Sequence, residues 1–125
     1  DIWEYFGQFF RTNRKDEMWL RYIYGLWNDK YDHSSALENF QGTYNSSSQF
    51  RIYGFNWTNN NMKWYIDGQL VHTKTRGVEV PNLDWPNKTM CMVINNGLMR
   101  VVDDGNTTFP NSLIIDYLRI YQKDN

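Results

Sequence analysis

Two carboxylates lie close together at the start of the sequence, in the aromatic-rich segment Asp1-Ile2-Trp3-Glu4. Residues three apart on a regular strand point to opposite faces, so the two carboxylates share a face only if a bulge at Ile2 or Trp3 adds one residue. A carboxyl pair on one face can cleave a glycosidic bond, because one protonates the leaving oxygen and the other attacks the anomeric carbon or activates water. The alternative is that Asp1 and Glu4 are ordinary solvated charges.

A third carboxylate, Asp116, lies within the apolar segment 113–121. Strand alternation places Asp116 on the same face as Ile114 and Leu118, where a carboxylate is costly unless it is hydrogen-bonded or binds a metal. Hard cations such as calcium take carboxylate and carbonyl oxygens as ligands. Two interpretations stay open: Asp116 binds calcium, or it lies on a half-exposed edge and accepts backbone hydrogen bonds.

Aromatic side chains are abundant, with six Trp, nine Tyr and seven Phe. Aromatic rings can stack on the apolar faces of pyranose rings, so some of them are candidates for binding sugar. Most are expected in the hydrophobic core instead, and Trp64 is the clearest core prediction because it lies in a strong hairpin pattern.

Composition excludes several classes of protein. The chain has 125 residues and a formal net charge of −1, which removes the electrostatic case for a nucleic-acid-binding or anionic-membrane-binding surface. No apolar run approaches the ~20 residues that span a bilayer. The single cysteine, Cys91, excludes an internal disulfide framework and zinc clusters with several thiolates, and Cys91 itself is expected to be a small buried hydrophobe. The length predicts one domain over residues 1–125.

The elements that must position these residues are strands. Alanine occurs once whereas asparagine occurs 15 times, and aromatics make up 18% of the chain, which together favour an all-β fold. Residues 50–57 alternate like a strand, and 62–73 form a hairpin around Asp67-Gly68, a pair that suits a type I′ turn. A regular two-residue hairpin pairs Trp64 with Val71 and Tyr65 with Leu70. Further strands are predicted at 1–6, 18–26, 90–95 and 113–121.

Three stretches together resemble glycoside hydrolase family 16, the laminarinase and lichenase group with a concanavalin-A-like jelly roll. Asp1-Ile2-Trp3-Glu4-Tyr5 is similar to the end of the family's Glu-x-Asp-x-x-Glu signature. "FRIYGFNWTNNNMKWYIDGQLVHT" at 50–73 resembles its Trp-Tyr-x-Asp-Gly hairpin, and "FPNSLIIDYLRIYQ" at 109–122 resembles its closing strand. The resemblance implies an antiparallel β-sandwich, incomplete in this chain, which corresponds to the C-terminal half of the catalytic domain.

The resemblance also implies roles for the acidic residues. Glu4 takes the position of the acid/base and Asp1 that of the carboxylate that tunes the nucleophile. The nucleophile itself is expected two residues before Asp1, so the chain is expected to be a fragment or to be completed by a second chain or by an N-terminal half. Asp116 matches an Asp that helps to hold a structural calcium ion in the family, whereas catalysis needs no cofactor.

Substrate contacts follow more loosely from the same resemblance. Trp3 lies between the two carboxylates, and Asn95 or Asn96 could face the sugar from a strand that crosses the cleft. The strand that begins at Trp19 is expected beside the acidic strand. Two sets of side chains on it could point into the cleft, either Trp19, Arg21 and Ile23 or Leu20, Tyr22 and Tyr24. The first set is preferred because an Arg suits a wet groove better than a core.

The function that the resemblance implies is retaining, endo-acting hydrolysis of β-glycosidic bonds in a polysaccharide, a β-glucan or β-galactan, by a secreted protein of the extracellular space or periplasm. One alternative is a non-catalytic carbohydrate-binding β-sandwich on the same fold. Another is a structural or adhesive β-sandwich whose aromatics are only core. The expected partner is the polysaccharide, with neither nucleic acid nor membrane.

Overall fold

The computed structural model describes residues 2–5, 18–19, 49–96, 110 and 112–123. Two short strands pair with each other, β1 (Glu4–Tyr5) and β2 (Met18–Trp19). A three-stranded sheet has the order β3-β4-β5 and is formed by Tyr53–Trp57, Asn61–Ile66 and Gln69–Thr75. Every strand pair is antiparallel, and the described helical structure is one 3₁₀ turn, Asn82–Asp84. The prediction of an all-β antiparallel fold is confirmed.

The β4–β5 hairpin turns at Asp67 and Gly68, as their types predict. Asp67 has φ of 50° and Gly68 has φ of 82°, the two positive values that a type I′ turn requires. The predicted pairing of Tyr65 with Leu70 is confirmed. The hairpin therefore begins in the register that its turn sequence indicates.

The two residues just before β3 hold this turn from the side. The Asp67 carboxylate accepts hydrogen bonds from the Ile52 amide at 2.9 Å and from an Arg51 guanidinium nitrogen at 2.7 Å. The Asp67 amide in turn donates to the Ile52 carbonyl at 2.9 Å. The bond from the Ile52 amide, followed by the Arg51 guanidinium, lowers the pKa of Asp67 below its ordinary 3.8.

A β-bulge changes the register beyond the first pairs of the hairpin. Trp64 pairs with His72, and the ladder is irregular between Trp64 and Tyr65, which leaves Val71 as the extra residue on β5. The predicted pairing of Trp64 with Val71 is therefore wrong. Beyond the bulge, each side chain of β5 lies on the face opposite to the one that a regular ladder would give it. His72 therefore lies against the Trp64 ring, and Lys74 is the partner of Met62. Lys74 is consequently buried.

The core lies on one face of the central strand β4. Its residues alternate between half-buried and buried, and Met62, Trp64 and Ile66 form the buried set. Val80 and Trp85 complete the hydrophobic cluster around Met62 and Trp64, and the partly buried side chains packed against it are Trp3, Phe55 and Val71. The prediction that Trp64 is a core residue is confirmed, since it is only 1% exposed.

A compact loop after β5 brings Val80 onto this core. Gly77 has φ of +77°, and its amide donates to the Val80 carbonyl at 2.7 Å. The Glu79 carboxylate accepts a 2.7 Å bond from the Thr75 amide, and this bond lowers the pKa of Glu79 below 4.5. The loop is thus closed by a backbone hydrogen bond and by the Glu79 carboxylate, which binds the amide of Thr75, the last residue of β5.

The chain divides into two compact units, Asp1–Met90 and Cys91–Asn125. In the second unit the described residues, 91–96, 110 and 112–123, contain no strand, so the strands predicted at 90–95 and 113–121 are not observed. A strand exists only through a partner's hydrogen bonds, and no described residue supplies them. Cys91 is exposed, which overturns its predicted burial. Within the described ranges no helix is long and apolar enough to cross a membrane.

Candidate functional site

Glu4, the predicted acid/base, lies on strand β1, and its cross-strand partner is Trp19 on β2. Directly opposed residues in an antiparallel pair have Cα atoms roughly 4.5–5.5 Å apart. Two residues predicted for the same site from different parts of the chain are therefore brought side by side by backbone pairing. The prediction that a strand beginning at Trp19 lies beside the acidic strand is confirmed at Trp19, and residues 20–25 of that predicted strand lie outside the described residues.

The residues just before Glu4 are attached to the three-stranded sheet. The indole nitrogen of Trp64 donates a 2.8 Å hydrogen bond to the backbone carbonyl of Ile2. The Trp3 ring contacts the Tyr53 ring edge to face, with centroids 5.2 Å apart and an interplanar angle of 66°. Residues far apart in sequence thus fix the approach to β1.

Trp3, predicted to contact sugar, is half-buried and packs against the hydrophobic core. Its indole nitrogen is buried and makes no hydrogen bond in the part of the chain that the structure describes. A buried donor without a partner is unfavourable, so this group would gain from an acceptor. Its role toward a sugar stays a prediction.

The remaining predicted site residues are Asp1, Arg21, Asn95, Asn96 and Asp116. Asp1 and Arg21 lie outside the described residues. Asn95, Asn96 and Asp116 are exposed and belong to the second unit, which is described by itself.

The calcium prediction gains no cluster of ligands from the structure. Within the described ranges no group of three or more His, Cys, Asp or Glu side chains could hold a metal ion. Calcium takes six to eight oxygen ligands, and the Asp116 carboxylate by itself cannot supply them all. Calcium binding by Asp116 therefore stays a prediction.

Sequence reasoning missed two residues that support the site. The sequence predicts Trp64 as a core residue, but its hydrogen bond to Ile2 also ties the acidic segment to the sheet. The sequence pattern places Tyr53 in a strand and does not indicate that its ring supports Trp3. The available signal was chemical, because a buried Trp needs an acceptor for its N–H. That rule does not say which carbonyl accepts it.

The chain matches the family model described as "Glycosyl hydrolases family 16" over residues 3–117. It is 36% identical over 52 residues to a protein named "Beta-glucanase" from Bacillus licheniformis and, at the same identity and length, to one from Bacillus subtilis (strain 168). Each match covers 42% of this chain and 20% of the relative.

A "Beta-glucanase" from Bacillus amyloliquefaciens is 44% identical over 32 residues, which is 26% of this chain and 13% of that protein. The matched stretches are therefore a small part of these relatives' lengths. No solved structure matches the chain.

Proposed function

This chain belongs to family 16 of the glycosyl hydrolases, and from that membership we propose that the protein hydrolyses internal β-glycosidic bonds of a polysaccharide with retention of configuration. The observation that carries the proposal is the family match over residues 3–117, which includes Glu4. The activity, substrate and partners of the whole protein all belong to this proposal.

Glu4 is the proposed acid/base. It protonates the leaving oxygen and then activates water against the glycosyl-enzyme, so it must be protonated in the first step and ionised in the second. The proposed nucleophile stands two residues before Asp1, with its carboxyl about 5–5.5 Å from that of Glu4, and Asp1 tunes it.

The proposed substrate class is a β-glucan or β-galactan. The three Bacillus relatives are each named beta-glucanase, which favours a β-glucan. Enzymes meet such polysaccharides outside the cytoplasm, so we propose that the protein acts in the extracellular space or periplasm. Trp3, Trp19, Arg21, Asn95 and Asn96 are the proposed substrate contacts.

The test uses the full-length protein and compares Glu4→Gln with Glu79→Gln. Both changes replace a carboxylate oxygen with an amide nitrogen, but Glu79 closes the loop after β5 and has no proposed role in the reaction. On β-glucan, Glu4→Gln is expected to lower kcat by about 10²–10⁴-fold. Glu79→Gln is expected to keep kcat within about twofold of wild type, because substitutions at exposed positions away from a site have small effects.

Two further readouts separate the acid/base role from general damage. The leaving oxygen of an activated aryl glycoside needs little protonation. With such a substrate, Glu4→Gln is expected to slow the first step far less than with β-glucan. Azide is expected to restore turnover of Glu4→Gln by replacing the water that Glu4 activates.

Retention of configuration is tested on the wild-type protein. Proton NMR of the first product should give the β anomer, and an α anomer would refute retention.

Reducing-sugar release also decides between hydrolysis and the carbohydrate-binding alternative. Wild-type protein that binds β-glucan and releases no reducing ends would favour the binding module. Wild-type activity with an unaffected Glu4→Gln variant would keep the hydrolase and remove Glu4 from its assigned role.

A further inference from the structure

We infer that Trp64 is a positioning residue for Glu4: its indole N–H fixes the backbone at Ile2 and so sets where the acid/base strand begins. The inference rests on the proposed function, because it matters for rate only if Glu4 takes part in the reaction. It assigns to a core tryptophan a second role that its burial alone does not require.

Trp64 is itself held firmly. It is 1% exposed and lies on β4, the central strand of the three. The Phe55 ring packs against it from β3 with centroids 5.0 Å apart and a tilt of 58°, and the His72 ring packs from β5 at 5.3 Å and 49°. Both rings belong to its direct cross-strand partners. The direction of the indole N–H is therefore set by side chains on both neighbouring strands.

The acceptor of this N–H is close to Glu4 along the chain. The Ile2 carbonyl, 2.8 Å from the indole nitrogen, belongs to the peptide that joins Ile2 to Trp3, and β1 begins at the next residue. The Trp3 ring rests on Tyr53 and the same core. A rotation of the Ile2 peptide would thus be transmitted directly into the backbone that carries Glu4.

Catalysis is sensitive to displacements of this size. A group that transfers a proton must lie within hydrogen-bond reach of its target, and a shift of about 1 Å can cost about 10²-fold in rate. Side chains in such sites are held to about 0.5 Å by neighbours that are themselves fixed by packing. The Trp64 hydrogen bond joins a rigid sheet to the segment in which that precision is required.

The chain offers a matched control in Trp85. Trp85 is 4% exposed, belongs to the same hydrophobic cluster and also donates its indole N–H to a carbonyl, that of Thr58 at 3.2 Å. Thr58 directly follows β3, and its carbonyl is remote in sequence from the acidic segment. Trp64→Phe and Trp85→Phe therefore remove the same atoms and the same type of bond, but only the first releases Ile2.

The experiment measures both variants in the full-length protein at a temperature where circular dichroism shows each to be folded. Trp64→Phe is expected to lower kcat on β-glucan by at least about tenfold with KM within about threefold, whereas Trp85→Phe is expected to stay within about threefold in both.

A second variant protects the test from a folding failure. A benzothienylalanine at position 64 keeps the bicyclic shape and replaces N–H with sulfur, and it should reproduce the kcat loss of Trp64→Phe. Hydrogen exchange at residues 3–5 supplies a readout that needs no activity, and it should quicken in both position-64 variants but not in Trp85→Phe.

Each outcome decides something different. An active wild type with equal kcat losses in Trp64→Phe and Trp85→Phe overturns the positioning role and leaves the proposed hydrolase intact. An inactive wild type overturns the proposed function, and the exchange data then decide whether Trp64 holds the segment. Unchanged exchange in both position-64 variants refutes the inference whatever the activity.

Discussion

Replacing Asp67 at the hairpin turn should destabilise the protein by an amount that depends on which of its interactions the new residue keeps. Asparagine also accepts the positive φ of this position, and its oxygen can still accept the Ile52 amide. Asp67→Asn therefore loses mainly the charged bond to Arg51. The two side chains are 36% and 17% exposed, so that loss is about 0.5–1 kcal/mol in the free energy of unfolding.

Asp67→Ala should cost more, for two separate reasons. Alanine accepts no bond from Ile52, which costs about 1 kcal/mol, and it resists a φ of 50°, which costs about 1 kcal/mol more. The expected total is about 2–3 kcal/mol. Asp67→Gly relieves the φ cost alone and should lie between the other two variants.

The pH dependence gives the sharper test. The pKa of Asp67 is lowered on folding, so its contribution is complete above the unfolded value of 3.8 and is lost as the pH falls through the lower folded value. Urea unfolding should show Asp67→Asn less stable than wild type at about pH 7, with the gap closing as the pH falls below 3.8. An equal gap at both pH values, or an Asp67→Asn effect that survives in an Arg51→Gln background, would refute this account.

Other changes have equally direct expectations. Gly77→Ala should cost about 1 kcal/mol in urea unfolding, because φ is +77° and the new Cβ would lie 3.3 Å from the Asn82 side-chain oxygen; no loss would contradict the turn geometry. Val80→Ala should cost about 2 kcal/mol, since Val80 is fully buried, and an exposed Val78→Ala serves as control. If Asp116 binds calcium, a calcium concentration of about 100 Kd should stabilise wild type by about 2.7 kcal/mol and Asp116→Asn by much less. Equal calcium effects on melting temperature would remove Asp116 from the site.

The hairpin could be predicted because the residues that specify it are close together in sequence. Asp67-Gly68 specifies the turn, and the alternation of Met62, Trp64 and Ile66 specifies the buried face. The bulge at Val71 could not be predicted in the same way. Both registers of β5 satisfy the turn, and the choice between them depends on packing against residues such as Val80 and Trp85 that come later in the chain.

The candidate site was predictable only in part. Motif resemblance indicates Glu4, the expectation of neighbouring strands indicates Trp19, and the backbone pairs the two. The hydrogen bond from Trp64 to Ile2 joins residues 62 positions apart, and no sequence period signals it. The strand patterns at 90–95 and 113–121 mark residues that suit a sheet, but pairing depends on a partner that alternation does not identify.

Val71 has no cross-strand partner of its own on β4. Strand β5 can therefore lose this one residue without changing any of its other cross-strand pairs. Deleting Val71 would leave His72 opposite Trp64 and Lys74 opposite Met62, and would give an uninterrupted hairpin. Deleting a residue between positions 72 and 75 would instead exchange inward and outward side chains beyond the cut. Single-codon deletions along this short strand should therefore differ sharply in their tolerance, with Val71 as the permissive position.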